Sequence, residues 1–197
     1  MKGYRFNDFL GKRVMIVGEV RSGKTRLTGK LLDEAVQRLS PHSITAIDMA
    51  PTPKASLIRA GGRLDRFSKR LSEVRYLKPK YVYAPRLQGE TGEEVRRYAR
   101  KNRSAIDPLI EEFISKPTPI LFINDLTLYL HAGDSKRIIE AISKCGTVVL
   151  NAYRGDLLKD DKASGISRRE SEALEEVMGV MDLVVEMSTL GSWEVHR

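Results

Sequence analysis

Short apolar runs alternate along the chain with helical stripes of hydrophobic residues. Residues 13–17 (RVMIV) form an apolar run suited to a buried parallel strand. Leucine or alanine then recurs every four residues from Leu27 to Leu39, as on one face of a helix. The same patterns predict further strands at residues 43–48, 81–84, 120–123, 147–150 and 182–187. They predict further helices at residues 64–74, 93–103, 106–113, 136–144 and 167–178.

The alternation of strands and helices indicates an α/β fold. We expect a three-layer arrangement with a mostly parallel central sheet, helices on both faces, and ligands at the carboxyl ends of the strands. Residues 152–166 are polar and contain two glycines, so they are expected to form a long lid or binding loop. Ser167 and Glu170 have the spacing of a capping box, which predicts that Ser167 begins the next helix.

Length and composition limit the class of protein. The 197 residues, 41% of them hydrophobic, are enough for one α/β domain spanning residues 1–197. The single cysteine, Cys145, excludes a disulfide framework and a cysteine metal cluster, and it favours a reducing compartment. No apolar run reaches the ~18 residues of a membrane span, and residues 1–9 lack the apolar core of a signal peptide. We therefore expect a cytoplasmic protein without a membrane partner.

The candidate chemistry begins between the first strand and the first helix. Gly18, Gly23, Lys24 and Thr25 match the pattern G-x-x-x-x-G-K-[ST] in the segment GEVRSGKT. Glycine lets a backbone approach a polyphosphate closely, so the amides from about Val20 to Thr25 are expected to surround a β-phosphate. We expect Lys24 to contact β- and γ-phosphate oxygens and the Thr25 hydroxyl to bind Mg²⁺. The predicted nucleotide-binding set is Gly18, Glu19, Val20, Arg21, Ser22, Gly23, Lys24 and Thr25.

This motif, called Walker A, resembles that of the P-loop NTPase superfamily. The specific match covers residues 14–39. The resemblance implies a RecA-like P-loop fold that binds ATP or GTP with magnesium. The phrase GEVRSGKT is also similar to the GEPGVGKT loop of small archaeal and bacterial nucleoside-triphosphatases.

A magnesium–triphosphate site also needs a carboxylate, which P-loop proteins place at the end of a buried strand. Asp125 follows the apolar run ILFIN and is the predicted second metal ligand, acting through water. One alternative is that Asp125 caps the next helix. Another is that Asp48, at the end of ITAID, is the metal ligand instead.

Candidates for the remaining catalytic groups lie after two other strands. Hydrolysing relatives commonly carry a glutamate directly after the metal-binding aspartate, but here the next residue is Leu126. Glu90, in APRLQGE, is the predicted water-orienting base, with an ordinary loop acid as the alternative. Asn151 and Arg154 follow the strand TVVL, where a γ-phosphate sensor or an arginine finger is expected. A surface arginine is the alternative for Arg154.

Positive charge suggests a further partner. The net charge is +8, and five of the positive charges fall within eight residues: Arg96, Arg97, Arg100, Lys101 and Arg103. This basic helix, residues 96–103, is a candidate contact for nucleic acid or for another acidic partner, and the alternative is a solvated helix face. Tyr98 is the one aromatic residue within it, whereas a single-strand binder would be expected to have more.

Two segments are also similar to the adenosylcobinamide kinase family. One is VGEVRSGKT, like that family's G-x-x-R-S-G-K-S, and the other is YVYAPRLQGETGEEVRRYARK, where a strand and an acidic turn precede an arginine-rich helix. The closing layout of a strand, a loop, a helix and DLVVEM is similar as well. On this helix the family carries a histidine that accepts a guanylyl group, whereas this chain has Arg100, Lys101 and Asn102. The resemblance therefore implies only the RecA-like fold and the nucleotide loop.

Three functions follow as hypotheses from these patterns. The first is a magnesium-dependent NTPase that hydrolyses the β–γ bond of ATP or GTP. The second is a P-loop kinase that transfers the γ-phosphoryl group to a small molecule. The third is a nucleotide-gated module that binds nucleic acid or a protein through the basic helix. RecA-like sites are often completed by a neighbouring subunit, so a homo-oligomer is a further expectation.

Overall fold

The computed structural model describes residues 4–52 and 62–188, together with the backbone of one last strand. The strands of this part of the chain are β1 (Arg13–Gly18), β2 (Ile44–Asp48), β3 (Arg75–Leu77), β4 (Ile120–Asn124), β5 (Thr147–Asn151), β6 (Leu183–Met187) and β7 (Trp193–His196). Its helices are α1 (Lys24–Arg38), α2 (Pro85–Gln88), α3 (Gly92–Ser115), α4 (Thr127–Leu130), α5 (Ser135–Ser143) and α6 (Ile166–Met178). Single turns of 3-10 helix precede β1, β2 and β3.

The strands form one sheet in the order β3-β2-β4-β5-β1-β6-β7. β1 to β6 are parallel, and β7 is antiparallel to β6 at one edge. β1 lies between β5 and β6, so β5 separates it from β4. Ile16 lies opposite Asn151, and Ile123 lies opposite Leu150. The loops that follow β1, β4 and β5 are therefore neighbours at the carboxyl edge of the sheet.

Alternate side chains of the central strands enter two hydrophobic cores, one on each face. Met15 and Val17 pack with buried residues of α3, α5 and α6. Val14 and Ile16 point the other way and pack with α1 and with Phe6. This alternation is what the two-residue period of a strand produces when both faces are covered. The predicted three-layer α/β class, with a mostly parallel sheet, is confirmed.

The predicted helix over residues 64–74 is wrong. That segment contains two 3-10 turns, Leu64–Arg66 and Leu71–Glu73. The carboxylate of Asp33 on α1 accepts hydrogen bonds from the backbone N–H groups of Lys69 and Arg70. These amides are thereby paired outside a helix, and hydrophobic spacing does not reveal a partner that is distant in the chain.

The predicted strand over residues 81–84 is wrong as well, because the third strand is β3, which ends at Leu77. The backbone N–H of Val82 donates to Thr52 Oγ1 at 2.9 Å, and the Thr52 N–H donates to the Val82 carbonyl at 3.0 Å. The Tyr83 N–H donates to Asn102 Oδ1 on α3 at 2.8 Å. The backbone of residues 81–84 is therefore paired with a loop and a helix instead of a strand.

The two helices predicted at residues 93–103 and 106–113 are one continuous helix, α3, with Pro108 inside it. Proline lacks the N–H that a helix interior uses, so an isolated helix would be expected to end there. Ile106 and Ile110, on either side of the proline, are buried in the core. This packing holds the helix through Pro108, and the helix ends only at Ser115.

The predicted capping box at Ser167 and Glu170 is wrong. α6 begins at Ile166, and its N-cap is Gly165 in the left-handed conformation, with no side-chain cap. The hydroxyl of Ser167 and the carboxylate of Glu170 both accept hydrogen bonds from Arg86 on α2. Both side chains therefore bond to Arg86, which is distant in the sequence, instead of forming the predicted capping box. Residues 152–165 contain neither helix nor strand, as predicted for the long loop.

Candidate nucleotide-binding site

The loop between β1 and α1 has a backbone that requires both glycines of the motif. Gly18 has a φ of 144°, and a Cβ there would collide with the carbonyl oxygen of Met187 on β6. Gly23 has a φ of 94° and is the N-cap of α1. Left-handed conformations of this kind are accessible to glycine without the strain that a side chain brings. The close approach of the Met187 carbonyl makes Gly18 the more restrictive of the two.

The N-terminus of α1 opens into this loop without a cap. The N-cap residue, Gly23, provides no side-chain cap, and the first turn of α1 contains no acidic residue. The first N–H groups of a helix have no partner within it, and the helix dipole adds partial positive charge at the same end. The start of α1 is therefore a favourable place for an anion.

The ammonium group of Lys24, the first residue of α1, folds back onto the preceding loop. Nζ donates hydrogen bonds to the carbonyl oxygens of Gly18, at 2.8 Å, and of Glu19, at 2.7 Å. Burial lowers the pKa of Lys24 to about 8, although the negative charges of Asp125 and Glu19 oppose the shift. Lys24 is thus a desolvated cation held by carbonyl oxygens, which phosphate oxygens are able to replace.

Asp125 directly follows β4, with a φ of 60°. Its backbone N–H donates to Asn151 Oδ1 at 3.0 Å, and its carboxylate accepts a hydrogen bond from Thr127 Oγ1 at 3.1 Å. Burial raises the pKa of Asp125 to about 6, and the opposing effects of Lys24 and Thr127 do not cancel this shift. Asp125 does not cap the next helix, because Leu126 is the N-cap of α4 and no side chain caps it.

A buried polar network behind Asp125 joins the carboxyl ends of β2, β4 and β5. The amide of Asn151 donates to Thr28 Oγ1 on α1 at 2.9 Å and to Asn124 Oδ1 at 2.8 Å. The amide of Asn124 in turn donates to Asp48 Oδ1 at 2.8 Å. Asn151 also accepts the N–H of Asp125. This network fixes the strained backbone of Asp125 against α1 and the sheet.

Asp48, the other acid at this edge, is fully buried and its oxygens are occupied. They accept hydrogen bonds from the backbone N–H groups of Ala50 and Leu64, the Tyr76 hydroxyl and the Asn124 amide. A carboxylate bonded in this way is a structural anchor for the segments that follow β2. Of the two acids, only Asp125 lines the adjacent cavity.

That cavity has a volume of about 700 Å³ and lies at the carboxyl edge of the sheet. The loop between β1 and α1, residues 18–23, is the candidate phosphate loop. The cavity is lined by residues of this loop and by Thr25, Asp125 and Asn151. Five basic side chains also line it, namely Arg21, Lys24, Arg26, Arg66 and Arg86. Asp125 is the only carboxylate among the described residues that line it. The volume and the excess of positive charge suit a nucleoside polyphosphate.

The residues present also fit a magnesium ion that is shared with phosphate groups. Thr25 and Asp125 line the same cavity, and hydroxyl and carboxylate oxygens are ligands that Mg²⁺ accepts in proteins. Within residues 4–52 and 62–188, no group of three His, Cys, Asp or Glu side chains is placed to hold a metal ion. Thr25 and Asp125 would hold a magnesium ion here, and phosphate groups and water would supply the remaining oxygen ligands.

Two predicted catalytic side chains do not line the cavity. Glu90 is exposed, and its backbone N–H donates to the carboxylate of Glu94 at 3.1 Å. The side chain of Arg154 lies 3.5 Å from Glu175 at the surface, although its backbone N–H donates to the Gly18 carbonyl at 3.1 Å. The structure therefore brings together Lys24, Thr25, Asp125 and Asn151, and it leaves Glu90 and Arg154 outside this group.

The structure shows a buried network of polar side chains, Arg86, Glu170 and His131, that the sequence analysis missed. Arg86 on α2 lines the cavity, and its guanidinium contacts the carboxylate of Glu170, with both side chains less than a tenth exposed. The same carboxylate lies 3.0 Å from Nε2 of His131, which is also buried. No local sequence pattern indicates this network, because Arg86 and Glu170 are 84 residues apart. The spacing of Ser167 and Glu170 in the sequence fitted a capping box, so it gave no sign that Glu170 contacts Arg86.

Glu19 connects the phosphate loop to the long loop after β5. Its carboxylate accepts hydrogen bonds from the backbone N–H groups of Asp156, at 2.8 Å, and Leu157, at 3.2 Å. Partial burial by itself would raise the pKa of Glu19, but the amide hydrogen bonds, including one from Val20, bring it below the ordinary value. Tyr153 and Leu158, from the same long loop, line the cavity. Glu19 therefore holds this loop beside the candidate site.

Comparisons with known proteins identify no family for this chain. No family model matches the chain, and no curated protein matches it. Among solved structures, the chain is similar to the crystal structure of flagellar accessory protein FlaH from Methanocaldococcus jannaschii, with 12% sequence identity and a TM-score of 0.44. The match covers 89% of this chain and 70% of that chain. A similarity at this level supports no inference about activity. No helix in the described part of the chain is long and apolar enough to cross a membrane.

Proposed function

We propose that this protein is a magnesium-dependent P-loop NTPase that binds ATP or GTP and hydrolyses the β–γ phosphate bond. One observation carries the proposal: the uncapped start of α1, the Lys24 ammonium, the Thr25 hydroxyl and the Asp125 carboxylate meet in one cavity. Burial of Lys24 and Asp125 costs free energy that a bound polyanion and a bound cation would offset. The resemblance of the phosphate loop to the P-loop superfamily supports the same function.

In this proposal the charged residues act on different parts of the triphosphate. Lys24 exchanges the carbonyl oxygens of Gly18 and Glu19 for β- and γ-phosphate oxygens, and its charge stabilises the negative charge that develops on the transferred group. The amides at the start of α1 bind the β-phosphate. Thr25 and Asp125 would hold magnesium, which neutralises phosphate charge and orients the γ-phosphoryl group.

Arg86 takes the role that sequence reasoning gave to Arg154. It lines the cavity on the side of α2, while Arg154 points to Glu175 at the surface. Its Nε is buried and has no hydrogen-bond partner among the described residues. Arg86 is therefore able to donate a further hydrogen bond to an anion while it keeps its contact with Glu170. We assign to it the stabilisation of charge at the γ-phosphate end.

Transfer to a small molecule is the second candidate function, and one observation favours it. The described residues that line the cavity include no carboxylate apart from Asp125, which is assigned to magnesium. A hydrolase needs a group that orients water, whereas a kinase positions an acceptor hydroxyl. If Glu90 remains outside the cavity when nucleotide binds, the kinase is the better description.

The test is phosphate release from ATP and from GTP, with magnesium, by the purified protein and two variants. Lys24→Ala should abolish release, while Lys30→Ala, which changes an exposed lysine on the same helix, should leave it unchanged. Release that survives Lys24→Ala would refute the proposed site. Nucleotide binding without phosphate release would favour the kinase. In that case, ATP loss should appear only when a fraction of small metabolites is added.

A further inference from the structure

A second cleft lies beside the nucleotide cavity, between α3, α6 and the end of the long loop. Its volume is about 290 Å³. Four arginines line it, namely Arg96, Arg100, Arg103 and Arg169, and no carboxylate lies among the described residues that form its walls. We call this site the arginine cleft. Four like charges around one concave site attract an anion strongly.

The guanidinium groups of the arginine cleft are held mainly by neutral groups. Arg103 and Arg169 both donate to the carbonyl oxygen of Ala132, at 3.5 and 3.3 Å, and Arg96 donates to the carbonyl of Ser164 at 3.3 Å. Carbonyl oxygens orient these groups but do not neutralise their charge. Of the four, Arg103 has an acidic partner, Asp107 at 3.2 Å. The side chain of Arg100 forms neither an ion pair nor a hydrogen bond with any residue in the described ranges.

The other two cations of the basic helix are engaged elsewhere. The guanidinium of Arg97 lies 5.3 Å from the ring centre of Tyr98 and forms an ion pair with Glu94. The ammonium of Lys101 lies 5.4 Å from the ring centre of Tyr83, which stacks on Tyr98. Each of these two cations therefore lies over a tyrosine ring, and the two rings stack on each other. In the described part of the chain, Arg96, Arg100 and Arg169 of the cleft form no ion pair, whereas the charge of Arg97 is paired and the ammonium of Lys101 lies outside the cleft.

His131 connects the arginine cleft to the nucleotide cavity. It lines both sites and is 3% exposed. Its Nε2 is bonded to Glu170, which in turn contacts Arg86 in the nucleotide cavity, while its Nδ1 is buried without a hydrogen-bond partner in the described residues. An unpaired buried nitrogen is costly unless a ligand or water bonds to it. Because His131 lines both sites, its side chain alone would separate a ligand in the cleft from a ligand in the nucleotide cavity at this point.

We propose that the arginine cleft binds the phosphate group of a small phosphorylated molecule beside the nucleotide. Guanidinium groups match phosphate oxygens in geometry and charge, and they converge here from two helices on a site of limited volume. A nucleic-acid strand would instead need a row of cations with free aromatic faces, whereas the two tyrosines beside these cations, Tyr83 and Tyr98, stack on each other. Phosphate binding in the cleft does not depend on the proposed NTPase activity; only the position beside a nucleotide does.

The test uses the full chain with Lys24→Ala, so that the probe cannot rely on the phosphate loop. Inorganic phosphate is titrated into this protein and followed by calorimetry and by NMR. We expect one bound phosphate per chain. The additional change Arg100→Gln with Arg169→Gln should weaken binding at least about tenfold, since each removes charge-assisted hydrogen bonds. Arg168→Gln, on an exposed neighbour in α6, should change the affinity less than about twofold.

Three outcomes would overturn the proposal. The first is failure of phosphate to bind the Lys24→Ala protein, and the second is equal binding without Arg100 and Arg169. A single-stranded DNA of about 12 nucleotides is the third arm, with the salt dependence of binding as the readout. Tighter binding of DNA than of phosphate, lost on changing Arg97 and Lys101, would assign the surface to nucleic acid. Melting temperatures check that the exposed substitutions leave the fold intact. Failure of the NTPase proposal would appear separately, in the Lys24 comparison above.

Discussion

The carboxylate of Glu19 in the phosphate loop accepts a hydrogen bond of 2.8 Å from the backbone N–H of Asp156, 137 residues later in the chain. The N–H of Leu157 bonds to the same oxygen at 3.2 Å. These contacts join a loop assigned to phosphate binding with the loop that covers one side of the cavity. Any movement of one loop will therefore affect the other.

Glu19→Ala should release the loop over residues 152–165. Hydrogen bonds to a charged group contribute about 1.5–3 kcal/mol, and partial exposure of Glu19 reduces this to about 1 kcal/mol. We therefore expect trypsin to cleave after Lys159 and Lys162 roughly five times faster, because cleavage follows the population of the open loop. Glu93→Ala, an exposed acid on α3, is the matched control. Equal cleavage rates in the two variants would show that Glu19 does not hold the loop.

Lys24→Ala should remove nucleotide binding without loss of stability. The ammonium is desolvated and bonded only to loop oxygens, so its removal relieves a cost of burial while it deletes the main phosphate contact. We expect the affinity for magnesium–ATP or magnesium–GTP, measured by calorimetry, to fall at least about a hundredfold. The melting temperature should stay constant or rise. A large drop in melting temperature would instead identify Lys24 as a structural residue.

The affinity for magnesium and nucleotide should depend on pH with two limbs. Asp125 must be ionised to hold magnesium, and its pKa of about 6 predicts weaker binding below that pH. Lys24 must be protonated to bind phosphate, and its pKa of about 8 predicts weaker binding above that pH. Lys24, Thr127, Asp48 and Glu170 are the groups that act on Asp125 besides burial. Calorimetric titrations from about pH 5 to 9 should show a maximum between the two values. Persistence of the acid limb in Asp125→Asn would assign it to another group.

Asp125→Asn should stabilise the fold while it removes magnesium-dependent activity. The pKa of Asp125 is raised in the folded protein, so the native state binds a proton that the unfolded chain releases, and stability falls as the pH rises from about 4 to 6. Above about pH 6 the carboxylate is ionised and its burial has its full cost in free energy. Asparagine is neutral and avoids this cost. We expect a gain of about 1–3 kcal/mol in the free energy of unfolding at pH 7.5, by denaturant titration. The gain should shrink as the pH falls towards 4.

Asp48→Asn is the matched contrast, because the chemical change is the same. The carboxylate of Asp48 accepts hydrogen bonds from four donors, and an amide group would present N–H to some of them. We expect a loss of about 2–4 kcal/mol in the free energy of unfolding. If both variants changed stability in the same direction, the assignment of Asp48 as anchor and Asp125 as ligand would be refuted.

Arg86→Leu should destabilise the protein more than the double change Arg86→Leu with Glu170→Leu. Removal of Arg86 leaves the buried Glu170 carboxylate with His131 but without its cationic partner, at a cost of up to about 3–5 kcal/mol, whereas removal of both charges avoids that cost. Denaturant unfolding of the two variants measures the difference. Nucleotide affinity should fall in both, because both lack Arg86 in the cavity. Equal destabilisation would show that the Arg86–Glu170 contact contributes nothing.

The sequence alone determined the elements whose signals are local. The apolar runs of β1, β2, β4, β5 and β6 and the stripe of α1 were predicted close to their observed positions, since strand and helix periods are written into neighbouring residues. The predicted phosphate loop is contiguous as well. It connects β1 to α1, because its glycines satisfy backbone requirements within six residues.

Tertiary structure alone decided the features that depend on distant partners. Residues 64–74 do not form a helix because Asp33 and Asp48 accept their amides from other elements. Asp48 and Asp125 both end apolar strands, and only the surrounding donors separate an anchor from a candidate ligand. The contact of Arg86 with Glu170 spans 84 residues, so no local spacing predicts it. Hydrogen bonds and burial between distant segments decide which charged groups face a cavity, and a pattern along one chain holds no record of them.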